Sequence, residues 1–222
     1  VMYKGPGNFI GYYKNPEATA ETMVDGWLLS GDAGYMTKRG HLKIIDRAKD
    51  VSKLNNGTLF APKYIENKLK FSPYVKESVA HGMSRDFVAV FIDIDFGAVA
   101  NWAERRHIGF TSYTDLAQKP EIYDLIYDEI LRVNKSLSED EKLKNSQIKR
   151  YLLFHKELNP DDGEITRTRK VRRRFIAEKY ETLIEALYGG KDNVDVEAKV
   201  TYEDGRTATM KANLKIRDVE TY

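Results

Sequence analysis

The sequence predicts an α+β fold, in which a small mixed sheet packs with several helices. Short segments alternate apolar and polar residues, as half-buried strands do. Longer segments repeat apolar residues every three or four positions, as amphipathic helices do. Both kinds of segment are mixed along the 222 residues without an internal repeat, and this mixture favours an α+β domain.

The first part of the chain is expected to consist of loops and short strands. Residues 1–30 combine Gly, Pro and aromatic residues in short runs. Residues 35–46 predict a hairpin with Gly40 in its turn, because glycine adopts the backbone angles that tight turns need. Residues 51–54 predict another short strand, which ends at the turn sequence Asn55-Asn56-Gly57.

A helix and two strands are expected in the central part. Pro62 can begin a helix, because proline suits the first helical position. Residues 75–79 and 87–92 are strand candidates from their β-branched and aromatic residues. Asp93 and Asp95 alternate along the second of these strands, so we expect them on its solvent-facing side.

A long amphipathic helix is predicted from Pro120 onward. Ser138 with Glu141 predicts a capping box for a short helix that follows it. Residues 151–154 predict a strand, and residues 159–163 predict a polar loop. The apolar face of the long helix is expected to comprise Ile122, Ile126, Ile130, Val133 and Leu137.

The last part of the chain predicts one helix and one hairpin. The helix ends at Gly189-Gly190, a typical stop signal. Residues 194–202 and 208–216 alternate apolar and polar side chains around Asp204-Gly205, so a long hairpin is expected. The apolar residues at helical spacing are Val171, Phe175, Tyr180, Leu183, Ile184 and Leu187.

Composition argues against several classes of protein. The net charge is only +2, whereas dedicated nucleic-acid binders usually show a clear basic excess. The absence of cysteine excludes disulfides and thiol catalysis. No apolar run approaches the ~18 residues that a membrane span needs. No Walker-type loop is present, and the four histidines lack metal-ligand spacing: His41, His81, His107 and His155.

Residues 167–174 form a strongly basic run, Arg-Thr-Arg-Lys-Val-Arg-Arg-Arg. A solvated helix face is one interpretation. However, the run is expected at the start of a helix, where the macrodipole disfavours cations by roughly 0.3–1 kcal/mol each. A nearby phosphate or a group of acidic side chains would explain this placement. Nucleic acid is a rival anion, but no aromatic residues are interleaved for base stacking.

Three acidic and basic residues near the hairpin also have simple structural interpretations. Asp32 lies within Ser-Gly-Asp-Ala-Gly, where an aspartate is typically a turn residue that accepts bonds from backbone amides. Asp46 and Arg47 are adjacent and are compatible with a plain ion pair at a strand end.

Several segments, taken in order, resemble motifs of the AMP-forming adenylating superfamily, which includes acyl-CoA synthetases, luciferases and peptide-synthetase adenylation domains. Any one of these motifs is weak, but their shared order is specific. The resemblance covers nearly the whole chain to about residue 188. The matching segments are Gly11–Thr19, Asp25–Gly34, Ile45–Asp50, Val133–Leu137, Asp162–Thr166 and Lys170–Arg173.

The chain is most similar in pattern to the C-terminal part of long-chain fatty acyl-CoA synthetases. The stretch from Arg47 to Gly57 is one residue longer than in the acetate and luciferase types, and residues 163–166, Gly-Glu-Ile-Thr, also resemble the long-chain form. Three features depart from the pattern. Serine replaces threonine in the Thr-Gly-Asp motif, Arg167 and Arg169 replace small or apolar residues, and the terminal hairpin lies outside the common core.

The resemblance implies a reaction in two steps with ATP, Mg²⁺ and CoA as cofactors. A fatty-acid carboxylate attacks the α-phosphate of ATP, and a C-terminal lid then rotates so that CoA attacks the acyl-AMP. Lys170 matches the lysine that assists adenylation, and Lys49 matches the hinge. Asp32 and Arg47 match contacts to the ATP ribose, and Gly57 lies in the loop nearest the CoA thiol channel.

The resemblance also implies a division into three parts. Residues 1–48 would be the end of the large adenylating domain, 49–190 the lid, and 191–222 a hairpin extension that either packs on the lid or forms an interface. The chain has no ATP phosphate-binding loop, so we expect it to be inactive alone. The expected partners of the full-length enzyme are fatty acid, ATP and CoA, without nucleic acid. The expected location is the cytoplasm, either free or in peripheral contact with a membrane.

Two alternatives remain open from the sequence. A fatty acyl-AMP ligase would pass the acyl group to a carrier protein instead of CoA. A non-enzymatic module would use the basic run to bind acidic protein or nucleic acid, in a salt-sensitive manner.

Overall fold

The computed structural model describes residues 1–201 and 207–222, with side chains for residues 1–197 and 211–222. The predicted α+β class is confirmed, since helices and small sheets are mixed along the chain. The chain divides into two compact units, residues 1–52 and 53–222. Among the described residues, no helix has both the length and the apolar composition needed to cross a bilayer.

The first unit consists of short strands and one short helix. In chain order the elements are β1 (Met2–Tyr3), α1 (Pro16–Thr22), β2 (Met23–Val24), β3 (Trp27–Leu29), β4 (Asp32–Met36) and β5 (Leu42–Arg47). The three-stranded sheet has the order β1-β3-β2 with antiparallel pairing, and β4 pairs with β5 as a hairpin.

The hairpin turn is confirmed, whereas helix α1 was not predicted. Thr37 donates its amide to the His41 carbonyl at 2.8 Å, and Gly40 in the turn has φ of +77°. Helix α1 has only seven residues, too few for an apolar period to be visible. Its signal was the cap: the Asn15 side chain accepts a bond from the Ala18 amide at 3.0 Å, just before Pro16.

The second unit contains the long helix and the larger sheet. Strand β6 (Ser52–Lys53) spans the division between the units. The remaining elements are β7 (Leu59–Phe60), α2 (Pro62–Leu69), β8 (Val75–His81), β9 (Val88–Ile94), α3 (Phe96–Glu104), α4 (Tyr113–Ala117), α5 (Pro120–Ser138), β10 (Ile148–Leu153), α6 (Arg173–Lys179), α7 (Glu181–Tyr188), β11 (Asn193–Thr201), β12 (Thr207–Lys215) and β13 (Arg217–Asp218).

The sheet of the second unit is mixed, with the order β13-β10-β9-β8. Strand β9 is parallel to β10 and antiparallel to β8. Every residue of β9 is buried, which is typical of a central strand covered on both faces. The rings of Phe91, Phe154 and Tyr180 meet in the core beside it, with Phe91 and Phe154 centroids 5.0 Å apart.

The expectation for Asp93 and Asp95 was wrong. Asp93 is 1% exposed because β9 has no solvent-facing side. The Tyr113 hydroxyl and the Leu158 amide donate to its carboxylate at 2.8 and 3.1 Å, and burial raises the pKa of Asp93 to about 7. Asp95 lies beyond the strand and caps α3 by accepting a bond from the Ala98 amide.

The long helix from Pro120 is confirmed, but the capping box after it is wrong. The Ser138 hydroxyl donates to the Lys135 carbonyl at 2.7 Å and therefore belongs to the preceding helix. Asp140 instead accepts bonds from the amides of Lys142 and Leu143, in a segment of turns. Helices α3 and α4 were also not predicted: α4 has only five residues, and neither begins with a proline as α2 and α5 do.

The predicted final helix is two helices. Tyr180 interrupts it with φ of −113° and ψ of 27°, so α6 ends at Lys179 and α7 begins at Glu181. Val171 lies before α6 and forms a β-bridge with Ile165. The apolar spacing persists across the break because both helices bury their residues in the same core.

The C-terminal hairpin is confirmed as β11 and β12, which pair from Asn193–Lys215 to Thr201–Thr207. The predicted turn at Asp204-Gly205 lies outside the described residues. Near its base, the hairpin packs its apolar residues against the core of the second unit, and β13 then pairs with β10 as the edge strand of the sheet. The packed residues are Val194, Val196, Ala212 and Leu214.

Candidate functional site

Asp32 and Arg47 form a direct ion pair across the β4–β5 hairpin. The two residues are opposite each other in the strand register, and Arg47 Nη1 donates to Asp32 Oδ1 at 2.7 Å. The Asp32 amide donates to the Ser30 hydroxyl at 3.1 Å, so the serine of this motif orients the start of the strand. The side chains are 31% and 59% exposed, which leaves both accessible to a ligand.

This geometry differs from both simple structural interpretations, in which Asp32 is a turn residue and Arg47 pairs with Asp46. The Asp32 carboxylate accepts from a guanidinium, and the hydrogen bond from Arg47 lowers the pKa of Asp32. The Arg47 guanidinium pairs with Asp32, and the Arg47 backbone amide donates to the carboxylate of the adjacent Asp46 at 2.8 Å. The structure therefore joins the two residues that the resemblance assigned to one task.

Lys49 and Gly57 both lie in exposed turns. Lys49 follows β5 in a turn in which the amides of Asp50 and Val51 donate to the Arg47 carbonyl. Gly57 lies between β6 and β7 with φ of +83°, a conformation that favours glycine, and its amide donates to the Leu54 carbonyl at 3.0 Å.

Lys170 lies on a short hairpin formed by residues 164–172, which we call the Lys170 hairpin. Its arms are joined by the bridge between Ile165 and Val171 and by the Thr166 amide, which donates to the Lys170 carbonyl at 2.8 Å. The Lys170 amide donates in turn to the Thr166 hydroxyl at 3.0 Å. Arg169 occupies the turn with φ of +59°, where a non-glycine residue is strained.

The basic run divides into anchored and free cations. Arg173 donates to the Glu66 carboxylate at 2.6 Å and to the Ala80 carbonyl at 2.9 Å, and Arg172 donates to the Gly163 carbonyl. Among the described residues, Lys170 has no hydrogen bond or ion pair to its ammonium group. Arg167, Arg169 and Arg174 are likewise exposed and without a salt bridge within that part of the chain.

The expectation that the run lies at the start of a helix is only partly correct. Helix α6 begins at Arg173, so residues 167–171 precede it. The helix macrodipole therefore does not explain why Lys170 would need an anion. The observation that replaces it is the exposed ammonium group of Lys170, whose backbone amide and carbonyl are both bonded to Thr166.

Glu164 anchors the base of the Lys170 hairpin, and sequence reasoning did not assign it a role. Its carboxylate is fully buried, and its pKa is lowered because hydrogen bonds outweigh the opposing effect of burial. The only sequence signal was its place within the Gly-Glu-Ile-Thr segment. The four donors to this carboxylate are Lys156 Nζ, the Asn159 amide, Lys179 Nζ and the Tyr180 hydroxyl.

Comparison with known proteins identifies the family. Residues 49–192 match the family model of the AMP-binding enzyme C-terminal domain. Long-chain-fatty-acid–CoA ligase 1 of Cavia porcellus is 36% identical over 192 residues, which cover 85% of this chain and 27% of that protein. The ligase FadD15 of Mycobacterium tuberculosis is 31% identical over 189 residues, which cover 85% of this chain and 31% of that protein.

A solved structure gives the same result for the fold. The adenylation domain of a carboxylate reductase from Mycobacterium chelonae matches with a TM-score of 0.56 and 27% identity, over 82% of this chain and 26% of that one. The chain spans less than a third of the length of these relatives. The chain belongs to the AMP-forming adenylating superfamily, of which it carries the AMP-binding enzyme C-terminal domain.

Proposed function

We propose that this chain is the C-terminal part of an ATP-dependent fatty acid:CoA ligase, which converts fatty acid, ATP and CoA to acyl-CoA, AMP and pyrophosphate through acyl-AMP. The observation that carries the proposal is Lys170, an exposed ammonium group without a protein partner among the described residues, on a hairpin bonded at both arms. The similarity to long-chain ligases supports the substrate class.

In this proposal Lys170 assists the adenylation step. A fatty-acid carboxylate and an α-phosphate are both anions, so the transition state in which they meet is stabilised by a positioned cation. ATP, when bound with Mg²⁺, supplies the electrophilic phosphorus and the pyrophosphate leaving group. Arg167, Arg169 and Arg174 surround Lys170 in sequence and would add a general positive potential.

Asp32 and Arg47 would hold the ribose of ATP. A carboxylate accepts bonds from hydroxyl groups, and the bond from Arg47 further favours the ionised form of Asp32 by lowering its pKa. The Arg47 guanidinium, which is more than half exposed, has further N–H groups for the ribose oxygens. The donor and acceptor types of this pair therefore fit a ribose.

Lys49 and Gly57 would serve the second step. We propose that residues 1–48 belong to the adenylating domain, that 49–190 form the lid with 191–222 as its extension, and that the backbone at Lys49 rotates between the half-reactions. Gly57 would lie beside the CoA thiol, where there is open space: apart from its two chain neighbours, no described residue comes within 4 Å of the position that a Cβ would take.

The test separates the two half-reactions in the full-length enzyme. Lys170→Ala should slow ATP–pyrophosphate exchange with palmitate by about 10²–10³, the typical cost of losing one positioned donor. The same variant should form thioester normally from pre-made acyl-AMP. Lys49→Pro should retain ATP–pyrophosphate exchange but fail to form thioester, because proline restricts the backbone that must rotate.

The matched control is Arg169→Ala, which removes a neighbouring free cation on the same hairpin. It should reduce exchange less than Lys170→Ala does. Equal loss of both half-reactions in Lys170→Ala, or a larger loss in Arg169→Ala, would contradict the role of Lys170. Acyl transfer to a carrier protein but not to CoA would identify the enzyme as a fatty acyl-AMP ligase instead.

A further inference from the structure

The position of the Lys170 ammonium group depends on what holds the base of the Lys170 hairpin. A two-stranded hairpin is marginally stable by itself in water. This one has a single bridge, Ile165–Val171, and few backbone bonds beyond it, such as that from the Arg172 amide to the Glu164 carbonyl at 2.9 Å. Its orientation must therefore be maintained by contacts between its base and the rest of the second unit.

The Glu164 side chain makes the polar contacts of this kind, beside the packing of Ile165 and Val171 against the hydrophobic core. Its carboxylate lies at the first residue of the hairpin, is 0% exposed, and joins the hairpin to two other segments. One segment follows β10, and its donors are Lys156 Nζ at 2.8 Å and the Asn159 amide at 3.0 Å. The other is the α6–α7 junction, where Lys179 Nζ donates at 2.8 Å together with the Tyr180 hydroxyl.

The charge of Glu164 supports this arrangement, together with that of Asp162, whose carboxylate also accepts a bond from Lys156. Lys156 and Lys179 both donate to the same carboxylate, so its negative charge offsets the repulsion between them. An amide of the same shape would lose that compensation and would present an N–H group to donors. Tyr180, the residue at the break between α6 and α7, donates its hydroxyl to the same carboxylate.

We propose that Glu164 is a positioning residue for Lys170, which it serves by holding the Lys170 hairpin at its base. The inference rests on the proposed function, because it gives Glu164 a role only in the half-reaction that Lys170 assists. Glu164 does not contact substrate in this proposal. Its effect on rate arises from the geometry of the hairpin.

The first test is Glu164→Gln in the full-length enzyme. ATP–pyrophosphate exchange should fall about 10- to 100-fold, since a misplacement of about 1 Å can cost about 10²-fold. Thioester formation from pre-made acyl-AMP should be unchanged. Hydrogen exchange of peptides covering residues 164–172 should accelerate. The matched control is Glu129→Gln, which changes another buried glutamate, on α5, and should leave both half-reactions unchanged.

The second test combines the variants. If Glu164 acts through Lys170, the double variant Glu164→Gln/Lys170→Ala should be no slower in adenylation than Lys170→Ala alone. The inference would be overturned if the two substitutions slowed adenylation multiplicatively in the double variant, or if Glu164→Gln impaired both half-reactions equally. Either result would leave the role of Lys170 intact. If Lys170→Ala itself has no effect on exchange, the proposed function has failed instead.

A milder variant covers the case in which Glu164→Gln does not fold. Tyr180→Phe keeps the ring in the core and removes one donor to Glu164. It takes the place of Glu164→Gln in the same double-variant comparison. A reduction of exchange that disappears in the Lys170→Ala background supports the inference, and the absence of any reduction overturns it.

Discussion

The two units differ in how much buried core supports their charged residues. In residues 1–52 only Leu28, Ile45 and Asp46 are buried, and the Asp32–Arg47 pair lies on an exposed hairpin. In the second unit, Glu164 and its lysines lie at the edge of a core that contains a fully buried strand. An exposed ion pair contributes little to stability, whereas removing one partner of a buried one is strongly destabilising.

The difference indicates which residues are available to ligands. The Asp32–Arg47 pair and the Lys170 ammonium group are exposed, and neither is needed to complete a core. Glu164 and Arg173 are engaged by the protein itself. Charge in a sequence motif therefore has two uses here, and they are distinguished by the burial of Glu164 and by the partners of Arg173 in other elements.

The largest effect should come from the core of the second unit. Phe91→Ala should reduce the free energy of unfolding by about 3–5 kcal/mol, because it leaves a cavity among the rings of Phe154 and Tyr180. Leu28→Ala in the first unit should cost less, about 2 kcal/mol at the low end of the range for such a change, since a thin sheet can relax around the gap. Urea unfolding of each variant tests this, and equal losses would contradict the contrast between the units.

The next effect should be a pH dependence caused by a buried histidine. His155 is 5% exposed, and burial, followed by the charge of Lys156, lowers the pKa of His155 to about 4 from 6.5. Glu164 acts in the opposite direction, and Lys179 lowers it further.

The sign follows from these values. Because the pKa of His155 is depressed in the folded state, only the unfolded chain takes up the proton as pH falls below about 6.5. Its contribution to stability is present above that pH and is lost toward pH 4, by ~1.4 kcal/mol per pH unit. The free energy of unfolding, measured with urea at several pH values between 4.5 and 7, should change less steeply with pH in His155→Gln than in the unsubstituted protein. Identical slopes would show that this histidine does not titrate as described.

The smallest effect on stability should come from Asp32. Asp32→Ala in the full-length enzyme should leave the unfolding transition nearly unchanged, because the ion pair it removes is exposed. The affinity for ATP should nevertheless fall about ten-fold or more, since bonds to an ionised acceptor are strong. Fatty-acid binding should be unaffected. Asp50→Ala, an exposed carboxylate of the same unit, is the control, and unchanged ATP affinity in Asp32→Ala would return Asp32 to a structural role.

Local sequence was sufficient for most elements of the fold. Pro62 and Pro120 begin helices because their ring geometry suits the first turn, whatever the surroundings. The β4–β5 and β11–β12 hairpins follow from short strand-like segments on either side of turn residues. The family could be recognised for the same reason, because its motifs are short segments whose order is visible in one chain.

The tertiary structure decided which charged residues are buried and where the last helix breaks. Asp93 continues an alternating pattern, yet it is buried because β9 lies between two neighbouring strands and is covered on both faces. The break at Tyr180 coincides with a bond to Glu164, which is 16 residues distant in the chain. Such bonds join segments that are far apart in sequence, and periodicity within one segment contains no information about them.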